Sequence, residues 1–484
     1  MKAAPHAVAR RRHALPARAA DFAYDAVAQS KRRRQPTGIL RSEDWELLPT
    51  DRKKLVSGTH DIARNFSVAR WMIERHLDYI TTATLQWRSG NTVLNTLVVA
   101  KLREWNGRRN SDLTRRHPFA FNCRLAEAMA LKCGDMLPVR LSSGQVQWLE
   151  GDRVATPTSG IPPQMGIDLR SLVHGCQLDE YGGVLNYITC TRGPKANPWA
   201  QPTSLMFDQV ISERDATLYG FFDRYDQVRG VSPLASALNS LQDVYEAKTY
   251  ALGRMKIDQL WALAIYRGNS DLITEIGADG QDYMKLPIAD GPVIADMDVG
   301  DRMEAIQSSQ PSSQFQEFMV RAIQFSLKAL AIPYSFFDEA YTNYSGARQH
   351  LLQYEAAAKI RRVAHFEMRD EIIDWIVRLF VLDGELPAEV LDAGKFNWEW
   401  VAASIPWIDP LKEMQAKLMA LGANLDSEIA IAKAQGREFA DIIAERQEAK
   451  RMILEAGLSS VATADPKVTD ALIAADATNG GPPA

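Results

Sequence analysis

Two helical runs are too long for an ordinary domain core, and they constrain this chain more than any other feature. Ser232-Pro233 supplies an N-cap with proline at the first helical position, and a helix is expected from Pro233 to about Tyr266. Some 34 residues at 1.5 Å each make a rod of roughly 50 Å, well beyond the usual helix length. A second run extends from Gly346 to about Leu382, with Gly384 as its terminator. These helices carry more apolar positions than a lone two-helix hairpin can bury, which favours packing against neighbouring copies of the chain.

The rest of the chain is organised around them. Leu55, Ile62, Phe66, Ala69, Ile73, Leu77 and Ile80 recur at three- to four-residue steps, the period of an amphipathic helix. Further helices are expected over 91–105 and 119–133, the latter closed by Gly134. From Asp135 to Leu218 short apolar runs alternate with turn formers. Strands are expected at Val146–Leu149, Gly175–Leu178 and Val184–Ile188, with a hairpin turn at Glu180–Gly183. Residues 268–304 are rich in Gly, Asp and Pro, a helix resumes at 312–331, and 411–456 is helical again. The fold class is therefore mainly α with a β-rich block, α+β.

Charge is distributed unevenly. The 484 residues carry a net −4, yet residues 1–40 hold +7, from a run of Arg and Lys against Asp21 and Asp25, leaving −11 for the remainder. That start reads as a flexible basic arm, and residues 459–484 as a disordered tail. No apolar stretch is long enough to span a membrane, and the charged start lacks the apolar core of a secretory signal. Cys123, Cys133, Cys176 and Cys190 form no CxxC pair, which fits a reduced compartment.

Catalytic constellations are missing. The sequence has no Walker-type phosphate loop, no HExxH and no GxSxG, so neither a catalytic residue nor a cofactor is expected. His174-Gly175-Cys176 has no partners at zinc-like spacing, and a buried structural role fits it better. Asp208, Glu213 and Asp215 fit an acidic surface loop better than a metal site, and His60, His76, His350 and His365 sit on helical stretches.

At particular strings the residues resemble the lambda-type portal proteins of tailed bacteriophages. The strings are Asp61-Ile62-Ala63-Arg64-Asn65, Gln227-Val228-Arg229-Gly230-Val231-Ser232-Pro233-Leu234, Ile332-Pro333-Tyr334 and Asn343-Tyr344-Ser345-Gly346-Ala347-Arg348. They continue with Trp407-Ile408-Asp409-Pro410-Leu411-Lys412-Glu413 and Gly436-Arg437-Glu438, up to Gly457-Leu458. Gly346 stands where the family has a serine, and the segment Ala289–Val293 partly departs from the family pattern. The basic arm and the final residues fall outside the resemblance.

The resemblance implies a portal fold assembled as a ring of about twelve copies at one capsid vertex, with double-stranded DNA passing through a central channel. It divides the chain into a basic arm (1–40), a wing (41–230), stem helix one (231–267), a clip (268–307) and stem helix two (308–337). A tunnel loop (338–346), a long wing helix (347–400), a crown (401–458) and the tail (459–484) follow. Implied partners are the terminase large subunit, a head–tail connector or adaptor, and the major capsid and scaffold proteins, but no membrane. The implied location is the virion, with assembly in the host cytoplasm. Channel candidates are Tyr341, Asn343 and Tyr344 in the loop and Lys248, Arg254 and Lys256 on the stem. Those three stem cations fit ion pairs between subunits as well as a basic ring facing DNA. Asp271, Asp279, Asp282, Asp296, Asp298 and Asp301 in the clip fit a solvated acidic loop as well as an acidic face toward the bore, where carboxylates would keep a moving duplex from sticking. The alternative is a DNA-packaging or DNA-processing enzyme, terminase- or nuclease-like, with a basic arm; a packaging motor, however, needs the phosphate loop this chain lacks.

Overall fold

A computed structural model describes residues 40–89, 91–158, 160–192, 205–260, 263–266, 302–305, 313–338, 340, 344–392, 397–402 and 410–456. The expected arm, the tail and nearly all of 268–307 lie outside the described residues.

The first amphipathic run is two helices, α1 (Pro49–Asn65) and α2 (Ser67–Thr81). They are broken at Phe66, whose backbone is extended (φ −116°, ψ 114°). The break has a packing cause: Phe66 is buried and its ring meets Tyr245 edge-on, with centroids 5.7 Å apart. Strand β1 (Ala83–Arg88) and helix α3 (Thr92–Trp105) follow, the helix capped by the Asn91 side chain, which accepts from the Val93 and Leu94 amides. Helix α4 (Phe119–Cys133) ends at Gly134, with φ +92°.

The β-rich block holds two antiparallel sheets. One orders β2 (Asp135–Arg140) between β3 (Val146–Glu150) and the short β8 (Tyr219–Gly220). The other runs β4 (Leu172–Val173), β5 (Cys176–Leu178), β6 (Val184–Arg192) and β7 (Leu205–Ser212) in that order. Leu137, Val139, Leu149, Cys176, Tyr187 and Ile211 form the core between them.

The first long run differs from expectation. A 3₁₀ turn at Pro233–Ser236 leads into α5 (Leu238–Leu260), and the helix does not continue to Tyr266. Residues 263–266 form strand β9, antiparallel to β10 (Arg302–Ala305); this pairing across the acidic segment is invisible to helical periodicity. Helix α6 (Ser313–Leu327) packs against α5. The second long run is α7 (Tyr344–Leu382), closed at Gly384 (φ +76°) by a bond from the Glu385 amide back to the Phe380 carbonyl. Tyr344 and Ser345 thus belong to the helix rather than to the preceding loop. The expected long helix over 347–400 also ends early: a turn and strand β11 (Asn397–Ala402) follow, and β11 pairs antiparallel with β1. Helices α8 (Pro410–Gly422), α9 (Glu428–Ala434) and α10 (Phe439–Glu455) complete the chain.

Two larger cores sit on either side of α7. Trp87, Leu94, Val98, Phe119, Ile372 and Ile376 join α3, α4 and β1 to its C-terminal half. Leu77, Leu234, Leu241, Val244, Leu327 and Tyr354 join α2 and the base of α5 and α6 to its start.

Candidate functional site

The segment that leads into α5, Val228-Arg229-Gly230, is rooted on a buried carboxylate. Asp135, at the first position of β2, receives Arg229 through two parallel bonds, Nε to Oδ2 and Nη2 to Oδ1, both 2.8 Å. Arg52 Nη2 from α1 also donates to Oδ1 at 2.9 Å, and the Gly230 amide donates to Oδ2 at 2.8 Å. Arg229 is 1% exposed and places all five of its N–H donors. The remaining three go to the carbonyls of Val154, His174 (2.7 Å) and Gly151 (2.6 Å). Burial alone would raise the Asp135 carboxyl pKa, but the two guanidiniums hold it below the ordinary range. The glycines here are steric requirements: a Cβ on Gly134 would lie 2.2 Å from the Gly230 carbonyl oxygen, and one on Gly230 would lie 2.3 Å from that of Gly134.

A second buried centre ties α7 to α4 and α2. Glu127 of α4 accepts from Arg361 at both oxygens (2.9 and 2.8 Å), pairs with His76 Nε2 at 2.7 Å, and accepts from the Tyr219 hydroxyl. Because the Tyr219 proton goes to Glu127, its oxygen accepts from His365 Nδ1 at 3.1 Å. That fixes the histidine tautomer and leaves Nε2 without a partner among the described residues. Burial, with Arg369 nearby, depresses the His365 pKa to about 3, so the ring is neutral. The Glu127 carboxyl lies well below its ordinary range; burial opposes this, but Arg361 and His76 outweigh it. Arg361 also lies 3.7 Å from the Phe221 ring. Further along α7, Arg369 donates to the Thr81 carbonyl, and Asp370 Oδ1 accepts both Trp398 Nε1 and Trp400 Nε1.

These centres account for motif residues that sequence reasoning left without a role. In the sequence Arg229 and Gly230 stand only as part of the string Gln227–Leu234. Asp135 was read only as the start of the β-rich block, although an acid directly after a helix-ending glycine was the available signal. His174 and Cys176 hold no metal cluster: His174 Nε2 donates to the Asp44 carbonyl at 2.9 Å, and Cys176 is a buried free thiol. No group of His, Cys, Asp and Glu among the described residues could hold a metal ion. Asp208 pairs with Arg153 at 3.1 Å.

The channel candidates stand as follows. Lys248, Arg254 and Lys256 are all exposed on α5, but they do not share one face. At about 100° per residue, Lys248 and Lys256 are about 80° apart and Arg254 lies more than about 100° from either. Tyr341 and Asn343 lie outside the described residues, as do Asp271, Asp279, Asp282, Asp296, Asp298 and Asp301; Tyr344 opens α7. The residues just before the expected loop are anchored by aromatic rings. Phe336 meets Tyr79 and Tyr354, Phe337 meets Trp71 edge-on at 5.5 Å, and the Ser335 hydroxyl pairs with His350 Nδ1 at 2.9 Å.

On α5 and α6, no described residue from Tyr245 to Lys256 or from Ser313 to Phe325 is buried. Tyr250 and Phe325 are each more than two-thirds exposed, and Leu252 and Phe318 about half.

Residues 30–362 match the family described as phage portal protein, lambda family. The match runs from before α1 to the middle of α7. It begins inside the basic arm and ends before the Trp407–Glu413 and Gly436–Glu438 strings. No curated protein sequence matches the chain. Among solved structures, the chain is similar to one in the neck of a native GTA particle computed with C12 symmetry. The identity is 12%, the alignment covers 80% of this chain and 94% of that one, and the TM-score is 0.47. It is similar also to a chain of the virion of a native gene transfer agent particle, 14% identical over 81% of this chain and 99% of that one, with a TM-score of 0.45.

Proposed function

This chain belongs to the lambda family of phage portal proteins, and from that premise we propose how its parts serve the channel at the capsid vertex through which DNA is packaged and ejected. About twelve copies close into a ring, with α5 and α6 as the stem around the bore. The segment 268–307 meets the terminase large subunit during packaging and the head–tail connector afterwards, and its carboxylates repel the moving duplex. The wing faces the capsid and scaffold proteins, and the ring forms in the host cytoplasm before it becomes part of the virion. The family is a structural one, and no covalent chemistry is asked of the chain.

What supports the ring is the distal stem. Two long helices pack on each other yet bury nothing along their outer halves, while Tyr250, Phe318 and Phe325 stand exposed. Covering aromatic side chains of this size contributes roughly 1.5–3 kcal/mol each, and since no described residue buries them, the neighbouring subunit is the cover proposed here. The Asp135–Arg229–Arg52 centre then fixes the angle at which the stem leaves the wing. Mass photometry or negative-stain microscopy of the purified protein tests this reading. Closed rings about an order of magnitude heavier than the monomer are expected, and a stable monomer at micromolar concentration would overturn it.

A further inference from the structure

The most concentrated unpaired positive charge among the described residues is on the connection between α3 and α4. Arg108, Arg109, Arg115 and Arg116 are all exposed and make no ion pair with any described residue. Arg108, Arg109 and Arg115 line one open hollow. Of the acids nearby, Glu104 and Glu385 lie 3.7 and 3.4 Å from Lys101 and Asp112 is buried beneath the loop, while Asp383 shares a cleft with Arg109 without an ion pair to it.

Asp112 gives the loop one shape. Its carboxylate accepts the Thr114 amide and hydroxyl (3.1 and 2.7 Å), the Arg116 amide (2.9 Å) and the His117 amide (3.2 Å). Its carbonyl accepts the Arg115 amide, and Arg115 is held at φ +58°, a conformation uncommon for a residue with a side chain. On the other side of the hollow, Gln145 Nε2 donates to the Arg109 carbonyl at 3.1 Å. The arginines therefore project from a backbone already ordered, which lowers the entropy lost when they bind.

Position separates this patch from the bore. Arg109 and Asn110 share a cleft with Leu379, Phe380 and Asp383 at the C-terminal end of α7, whereas the stem base packs around Tyr354 near its start. Those points are roughly 40 Å apart along the helix axis. The patch also lacks what a protein partner needs. Between Arg108 and Arg116 Leu113, 40% exposed, is the one apolar side chain, whereas protein interfaces centre on clustered apolar and aromatic anchors. Guanidiniums on a fixed backbone suit phosphate oxygens, which they bind through paired donors without reading sequence.

We propose that Arg108, Arg109, Arg115 and Arg116 form a static grip for the phosphate backbone of duplex DNA, at the end of α7 remote from the stem. The charge site stands on its own; the choice of duplex DNA rests on the portal reading.

The test uses the full chain and a variant carrying Arg108→Gln, Arg109→Gln, Arg115→Asn and Arg116→Gln, with Asn chosen because it tolerates a positive φ. Fluorescence anisotropy follows binding of a short labelled duplex between about 50 and 200 mM salt. Because the arm at 1–40 is unchanged, only the difference between the two proteins counts. The variant should bind at least about ten-fold more weakly at low salt, and its log–log salt slope should be shallower by about 0.9 per lost contact. On the unaltered protein, duplex DNA should protect these four arginines from an arginine-selective reagent, a readout that does not depend on the variant folding. An unchanged slope, or no protection, would overturn the grip. So would a variant that loses binding to polyglutamate while keeping its DNA affinity. Mass photometry on both proteins separates the two ideas: intact rings with an unchanged slope sink the grip alone, and absent rings sink the portal reading.

Discussion

Replacing Arg229 by lysine keeps the charge and removes the geometry, so it isolates what the buried centre does. Arg229 places five N–H donors, two on Asp135 and three on the carbonyls of Gly151, Val154 and His174. Lysine has three donors on one nitrogen. At least two of the five buried bonds would be lost, at about 1–3 kcal/mol each, for a total loss of about 2–6 kcal/mol. Arg52 remains within 2.9 Å of Asp135, so the carboxylate is not left without a cation and the larger penalty for an unpaired buried charge does not apply. Urea denaturation of Arg229→Lys beside a control, Arg124→Lys, measures the difference. Arg124 is a partly exposed residue paired with Glu74 and Asp78, and its replacement should cost less than about 1 kcal/mol. A result for Arg229→Lys within about 0.5 kcal/mol of the parent, the range of ordinary surface substitutions, would refute the claim that the fork geometry holds the stem's root.

Acid should weaken the fold in two stages. His365 is depressed to about 3 in the folded chain against about 6.5 unfolded, so its contribution is complete above pH ~6.5 and is lost as pH falls through that interval. Asp135 and Glu127 are also depressed, and their contribution is lost only below about pH 4.5. His365→Asn should remove the first stage in stability measured against pH, and an unchanged profile would contradict it. Ala247→Pro, inside α5, removes a helical hydrogen bond at a cost of about 3 kcal/mol or more; particle counts by negative stain should show rings lost or misshapen, and normal rings would count against the stem assignment. Deleting Glu339–Asn343 should leave rings and shells intact while packaged DNA is shortened or leaks, scored by genome length; full-length, stably held DNA would make the loop a mere connector.

The helices were legible because their signals are local. Gly134, Gly384, Asn91 and the Ser232-Pro233 pair act within a few residues of themselves, and periodicity did the rest. Phe66 and residues 263–266 were misjudged for a common reason: each breaks a helical period in favour of a partner far along the chain, Tyr245 in one case and residues 302–305 in the other. The buried centres were hidden for the same cause. Asp135, Arg229 and Arg52 lie far apart in sequence, as do Glu127 and Arg361, and charge spacing along a chain carries no trace of which groups a fold will bury together. Lys248, Arg254 and Lys256 were grouped by closeness in sequence, and the helix turns Arg254 away from the other two.

The β1–β11 pair has a consequence for how the chain is made. Residues 83–88 pair with 397–402, so at 5–20 residues per second the ribosome takes about 15–60 s between making one strand and the other. Throughout that interval the first strand, with Leu85 and Trp87, has an open hydrogen-bonding edge, and the core containing Trp87 lacks Ile372 and Ile376. A growing chain is most vulnerable to pairing with the wrong strand during this wait. Closure of the β1–β11 pair is therefore a late event, and a protomer can offer its finished surface to neighbours only after most of the polypeptide has left the ribosome.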